Sequence, residues 1–319
     1  MAGGAGFVGS AVLRSLLEAN EVVVYDTLRR DALRGSELAT HPNLRVVQGN
    51  VLDQHSLGEA ITGSDLVVQL AAIAGIDTVI QRPTETMRVN MIGTANVLEA
   101  ALDNGCERVV CFSTSEVFGS QAFRAAETDR TVMGPLGEAR WSYAVSKLAA
   151  EHLAHAYHKE HGLDTVVIRP FNVYGPGQIG EGAVHTFVTR ALRGQDLEIR
   201  GDGTQIRAWC YIDDVVRAVL AALESSRAIG ESFNVGNSRA VVTVYGLANA
   251  VVRITGSTSR ICYIQDDEPD IELRVPNVDK AREVLGFEAE VDLEEGLDKT
   301  AAWYREQLEA STRAASIVR

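Results

Sequence analysis

The sequence predicts an α/β protein: a Rossmann-like doubly wound parallel sheet with a smaller C-terminal α/β substrate lobe. Three observations carry this. Short β-branched runs alternate with longer segments of helical spacing, a glycine-rich turn opens the first helix, and the alternation loosens after residue 176. At 319 residues the chain exceeds the size at which a single core stops growing. Residues 1–176 are therefore expected to form a dinucleotide-binding domain and residues 177–319 a substrate-binding lobe, with some return of chain to the first domain.

Taken in order, Gly3, Gly6 and Gly9 stand in a G-x-x-G-x-x-G spacing ahead of an apolar helix from Ser10 to Ala19. Glycines there let the chain turn tightly and bring backbone amides, with those of Phe7 and Val8, against a pyrophosphate at a helix N-terminus. The strand from Glu21 to Tyr25 ends in Asp26, where an acidic residue takes the adenosine ribose hydroxyls and favours NAD over NADP. Arg29 and Arg30 follow closely and can accept a ribose phosphate, so the preference stays open. Next come a strand from Leu44 to Gln48, with Asn50 and Val51 assigned to the cofactor site beyond it, and a helix from Gln54 to Ile61. Strands from Leu66 to Leu70, Arg108 to Phe112 and Thr165 to Ile168 alternate with helices from Thr84 to Asn104 and Tyr143 to His161, which Gly105 and Gly162 stop. Gly-rich turns from Gly175 to Gly182 and Gly201 to Gly203 then lead into short strands and isolated helices.

Dinucleotide folds place a central strand before the glycine loop, yet only Met1 and Ala2 precede Gly3. The translated start is therefore expected to lie upstream, because removing a central strand exposes two neighbouring edges.

Composition narrows the function. A net charge of -13 repels a phosphate backbone and argues against nucleic-acid binding. A bound anion must then be held by a few local donors. Cys106, Cys111, Cys210 and Cys262 show neither CxxC pairing nor metal-ligand spacing, which suggests reduced packing thiols and no metal site. No signal peptide or long apolar run is visible, so no membrane association and a cytoplasmic location are expected.

Tyr143-Ala144-Val145-Ser146-Lys147 places a phenol and an ammonium on one helix face. A nearby ammonium favours the phenolate, so the pair is expected to lower the tyrosine pKa towards neutrality and make it a base for a substrate hydroxyl. The strand from Arg108 to Phe112 ends in Ser113-Thr114-Ser115-Glu116, which puts hydroxyls and a carboxylate at a strand's carboxyl end, where such sheets bind ligands. His185, among apolar residues at helical spacing, reads as packed rather than catalytic, and Trp141 and Trp209 as packing or substrate-wall residues.

Further motifs occur in order: Leu70-Ala71-Ala72, Asn90 in Val89-Asn90-Met91-Ile92-Gly93-Thr94, Arg169 to Pro176, Gly201 to Arg207, and Leu285-Gly286-Phe287. From Gly3 to about Phe287 the chain resembles the extended short-chain dehydrogenase/reductase family of nucleotide-sugar epimerases, dehydratases and decarboxylases. The resemblance implies retained NAD, hydride removal from sugar C4 and a 4-keto intermediate. It implies that Thr114 shares a hydrogen bond with the C4 oxygen, Tyr143 takes its proton and Lys147 holds the nicotinamide ribose. Leu70, Ala71, Ala72 and Asn90 fall to the cofactor, and Arg140, Asn172, Arg207 and Arg274 to the sugar and diphosphate. It also suggests a homodimer through the helices from Thr84 to Asn104 and Tyr143 to His161.

The fate of the ketone turns on the groups near C5 and C6. Dehydratases of dTDP-glucose carry Asp then Glu after the threonine, whereas this chain has Ser115 before Glu116. Thr114-Ser115-Glu116 with Arg140-Trp141-Ser142-Tyr143 and Arg207 is similar to UDP-glucuronate decarboxylases, although Phe118 replaces a tyrosine often found there. In that reading Arg207 orients the sugar carboxylate while Glu116 or Ser115 quenches C5. UDP-sugar 4-epimerase, acting on UDP-glucuronate or UDP-glucose, and nucleotide-sugar 4,6-dehydratase are the alternatives. A non-catalytic NAD-binding sensor is the alternative from another class.

Overall fold

The computed structural model describes residues 1–265 and 271–317. The strands are β1 (Val22–Asp26), β2 (Leu44–Gln48), β3 (Leu66–Gln69), β4 (Arg108–Phe112), β5 (Gln121–Ala125), β6 (Asp164–Pro170) and β7 (Val173–Tyr174). They continue as β8 (Leu197–Arg200), β9 (Ile206–Ala208), β10 (Cys210–Tyr211), β11 (Glu231–Val235), β12 (Val241–Thr243), β13 (Ile261–Ile264) and β14 (Leu273–Pro276). The helices are α1 (Phe7–Leu16), α2 (Gln54–Ile61), α3 (Ile76–Gln81), α4 (Pro83–Met87), α5 (Gly93–Asp103) and α6 (Ser142–His161). After them come α7 (Ala183–Leu192), α8 (Ile212–Glu224), α9 (Val244–Thr255), α10 (Asp279–Leu285) and α11 (Leu293–Ile317).

The Val- and Ile-rich strands form a parallel sheet because both of its faces are covered, which leaves near-continuous apolar runs rather than alternation. β2 pairs with β1, and β3, β4, β6 and β11 follow one another in space, all parallel. Between β1 and β3, Ala2 bridges Tyr25 on one side and Gln69 on the other. Its amide donates to the Val68 carbonyl at 3.0 Å, and the Leu70 amide donates to its carbonyl at 2.8 Å. Met1 and Ala2 thus occupy the place of the central strand expected before the glycine loop. Residues of α1, α8 and α10 pack on one face of the sheet, with Val12, Val215, Val219 and Ala281 against Val110, Ile168 and Phe233. Leu57, Val97, Leu98 and Ala154 from α2, α5 and α6 cover the other against Val109, Cys111 and Val167. This is the doubly wound arrangement expected.

Two helices differ from expectation. The first begins at Phe7, not Ser10, because extended Gly6 already serves as its N-cap. The single helix expected from Thr84 to Asn104 consists of α4, a π-helical turn at Arg88–Ile92 and α5. A π turn rotates the following helix relative to the first, here around the buried Asn90.

A smaller sheet runs β12-β9-β14-β5. β5 reaches it from between β4 and α6, whereas β11 returns to the large sheet, so the chain crosses between them more than once. A third core of Phe187, Trp209, Leu247, Leu297 and Tyr304 lies among α7, α9 and α11. In β9 and β14, Arg207 and Arg274 are register partners, so their side chains leave the same face.

Candidate active site

The glycine loop shows why small residues stand there. A Cβ on Gly3, whose φ is 78°, would lie 2.4 Å from the Ala71 nitrogen, and one on Gly9 would lie 2.5 Å from the Gly4 carbonyl oxygen. Both glycines allow backbone segments to touch. Gly6 differs: a Cβ there would meet only the Gly3 oxygen, at 3.6 Å, so it faces open space. The amides of the first turn of α1, from Phe7 to Gly9, have no carbonyl within the helix, which leaves them for an anion. They line a groove of about 620 Å³ with Asp26, Asn50, Val51, Leu70, Ala71, Ala72, Tyr143 and Lys147. The size and this donor set fit an extended dinucleotide.

Asp26 anchors the loop as well as walling the groove. Its carboxylate accepts the Ala5 amide at 3.0 Å and the Leu28 amide at 2.9 Å. Burial raises its pKa, and these amide bonds oppose the rise. Arg29 pairs with Glu85 at 3.1 Å, and Arg30 lies 3.6 Å from Glu181. Asn90, expected at the cofactor, does not line the groove. It is fully buried, accepts the Ile73 amide at 2.8 Å and donates to the Ile73 carbonyl and to Ser146 Oγ at 3.1 and 3.0 Å. The side chain is spent on fastening the Ala71–Ile73 loop to α6, so it shapes the groove from behind.

Around Tyr143 the sequence motifs converge. Thr114, two residues beyond β4, hydrogen bonds to the phenol and caps the short 3-10 turn Ser115–Phe118 by accepting the Glu116 amide at 3.2 Å. Arg140, buried, donates to Glu116 Oε2 at 2.7 Å. Arg274, 2% exposed, donates to the Gly119 carbonyl and makes a long 3.5 Å contact with Ser115 Oγ. Arg207 stands beside it on β9 and donates to the Ile206 carbonyl at 3.1 Å. Asn172, in a left-handed conformation with φ of 38°, donates to the Ala208 carbonyl at 2.8 Å, which ties the β6–β7 turn to β9.

The expected pKa effect is reversed. Burial pushes the Tyr143 phenol well above its ordinary value, the Glu116 carboxylate adds to the rise, and Thr114, Arg140 and Arg274 only partly offset it. Lys147 is not among the groups that lower it. Its ammonium is buried, donates to the Phe112 carbonyl, and is pushed down to about 8 by burial, against the opposing charges of Cys111 and Glu151. One turn further along α6, Glu151 accepts Arg169 Nη2 at 2.6 Å and Ser232 Oγ at 2.7 Å. Burial would raise the Glu151 carboxyl, but these partners hold it below its ordinary value.

Sequence reasoning missed Gln178, Ile179 and Glu181, which reach the groove from the loop between β7 and α7. The glycine density from Gly175 to Gly182 was their only signal. His185 is packed, with Nδ1 at 2.8 Å from the Tyr304 hydroxyl, and Trp141 and Trp209 are buried. All four cysteines are free, three of them buried. Among the described residues no helix is long and apolar enough to cross a membrane.

Comparison with known proteins agrees with this geometry. The model of the NAD dependent epimerase/dehydratase family matches residues 1–236. A UDP-N-acetyl-alpha-D-glucosaminuronate decarboxylase of Bacillus cytotoxicus is 34% identical over 314 residues, covering 95% of this chain and 96% of that protein. A UDP-glucuronate 4-epimerase of Thermodesulfobacterium geofontis is 30% identical over 317 residues, covering 96% of each chain. Among solved structures, UDP-glucuronic acid 4-epimerase from Bacillus cereus, in complex with UDP-glucuronic acid and NAD, superposes with a TM-score of 0.88 at 29% identity. That match covers 96% of this chain and 98% of the epimerase.

Proposed function

Because the chain belongs to the NAD-dependent epimerase/dehydratase family of nucleotide-sugar enzymes, we propose that it is a UDP-hexuronate decarboxylase, with UDP-glucuronate as the lead substrate. Bound NAD supplies the acceptor, and later the donor, of the hydride at sugar C4. The first turn of α1 holds the pyrophosphate, Asp26 takes the adenosine ribose and Lys147 the nicotinamide ribose. Tyr143 takes the proton of the C4 hydroxyl while Thr114 shares a hydrogen bond with the same oxygen. The resulting ketone lies β to the C6 carboxylate. The C5–C6 bond then breaks, CO2 leaves, and its electron pair remains as an enolate across C4 and C5. Arg207 orients the carboxylate beforehand, and Glu116 or Ser115 delivers the proton that C5 takes up. Reduction of the C4 ketone closes the cycle.

One observation carries this reading: Arg207 and Arg274 stand side by side, and Arg274 reaches the Ser115–Gly119 turn. Guanidinium groups held there suit the diphosphate and a sugar carboxylate. Asn172 and Arg140 complete that end, Arg140 by holding Glu116 in place. Ser115 stands where dTDP-glucose dehydratases carry an acid, which disfavours loss of water from dTDP-glucose. A 4-epimerase of UDP-glucuronate is the second reading, because it must hold the same carboxylate. The test is incubation with UDP-glucuronate, UDP-N-acetylglucosaminuronate, UDP-glucose, dTDP-glucose and GDP-mannose, followed by mass spectrometry and NMR. Loss of CO2 from a hexuronate is expected. An isomer of unchanged mass, or loss of water from any hexose, overturns the proposal.

We also infer a homodimer that pairs α4–α5 and α6. Ile92 and Val145, 44% and 36% exposed on these helical segments, support it. Light scattering should give twice the mass of one chain.

A further inference from the structure

The loop between β7 and α7 is fastened at both ends. At one, the Tyr304 hydroxyl of α11 donates to the Gln178 carbonyl at 2.6 Å. At the other, Glu181 accepts the Asp77 amide at 2.9 Å, the Thr78 amide at 3.2 Å and the Thr78 hydroxyl at 2.7 Å. Arg30 lies 3.6 Å from the same carboxylate and 3.4 Å from Thr78 Oγ1. Two glycines make room for this arrangement. A Cβ on Gly75 would stand 2.6 Å from the Glu181 carboxyl carbon, and one on Gly180 would stand 3.0 Å from the Arg30 guanidinium. Gln178, Ile179 and Glu181 line the same groove as Gly6 and Phe7, so the fastened loop forms part of its wall.

We propose that Glu181 is a positioning residue that clasps this loop over the NAD groove and thereby sets how long the cofactor stays bound. The clasp joins three segments that are distant in the chain: the turn after β1 through Arg30, the start of α3 through Asp77 and Thr78, and the β7–α7 loop. Release of NAD requires the loop to lift, which breaks the charge-assisted bonds of Glu181 together. An enzyme that oxidises and re-reduces its substrate within one cycle gains from such retention, since the hydride must return to the molecule that lost it. This inference rests on the groove being the NAD site and not on which ketone fate follows.

The test compares the wild-type chain with Glu181→Gln, Gly75→Ala and a control, Glu198→Gln, which removes the exposed pair with Arg190 (2.7 Å) away from the groove. NAD content after gel filtration, the NAD release rate by stopped-flow displacement, and Tm are read for each. Glu181→Gln is expected to release NAD at least about tenfold faster, as loss of charge-assisted bonds implies. Gly75→Ala should do the same by pushing the carboxylate away, while Glu198→Gln should match wild type. Wild-type release from Glu181→Gln overturns the clasp, as does equally fast release from Glu198→Gln. A wild-type chain that takes up no NAD overturns the assignment of the groove itself, and the clasp with it.

Discussion

Tyr143 and Lys147 show how much of a catalytic pair's character comes from its surroundings. The i, i+4 spacing puts both on one face of α6, yet burial raises the phenol and turns the ammonium towards the Phe112 carbonyl. Because Tyr143 takes the proton of the C4 hydroxyl in the proposed cycle, Tyr143→Phe should lower kcat by about 10² to 10⁴ while leaving the bound NAD content unchanged, measured by turnover and cofactor release. Lys147 gives a pH dependence of definite sign. Its folded pKa of about 8 lies below the ordinary 10.5, so between those values the unfolded chain binds more protons than the folded one. Stability therefore rises with pH across that window, because the burden of a buried charge is relieved. Activity should do the opposite: kcat/KM should fall above about pH 8 as the ammonium is lost, and the residual activity of Lys147→Met should lack that alkaline limb. A pH-independent rate from pH 7 to 9 would contradict the role of the ammonium.

At the scale of elements, α6 is the beam that carries the site, and its attachment to β6 is ionic. Arg169 reaches Glu151 through Nε and Nη2, and Ser232 of β11 is a second partner, all buried. Removing one member of a buried pair strands the other, so Glu151→Ala should destabilise the chain by about 3–5 kcal/mol in urea unfolding. The double variant Glu151→Ala/Arg169→Met should lose less than the sum of the two single changes, since the stranded charge is gone. Gly9→Ala acts at the start of α1, where the added methyl would lie 2.5 Å from the Gly4 oxygen. It should weaken NAD binding by moving the first-turn amides, which titration of cofactor-stripped protein will measure.

For the whole molecule, the cofactor groove is bounded by the large sheet and by the β7–α7 loop, so occupancy stabilises parts that are far apart in the chain. NAD at 100 times its Kd should add about 2.7 kcal/mol of stability, seen as a higher Tm, with a further rise on adding the nucleotide sugar. The sequence by itself determined the strand and helix alternation, the glycine loop, Asp26 and the Tyr143/Lys147 pair. These rest on spacing between near neighbours, where backbone geometry fixes the outcome. The π turn at Arg88–Ile92 left no such mark, because one inserted residue hardly alters a helical pattern. Tertiary structure alone decided which distant residues meet. Arg274 reaches Ser115 across 159 positions and Glu181 reaches Asp77 across 104, and no local periodicity encodes either. It also decided the direction of the Tyr143 shift, because desolvation depends on what is packed around a group and not on its neighbours along the chain.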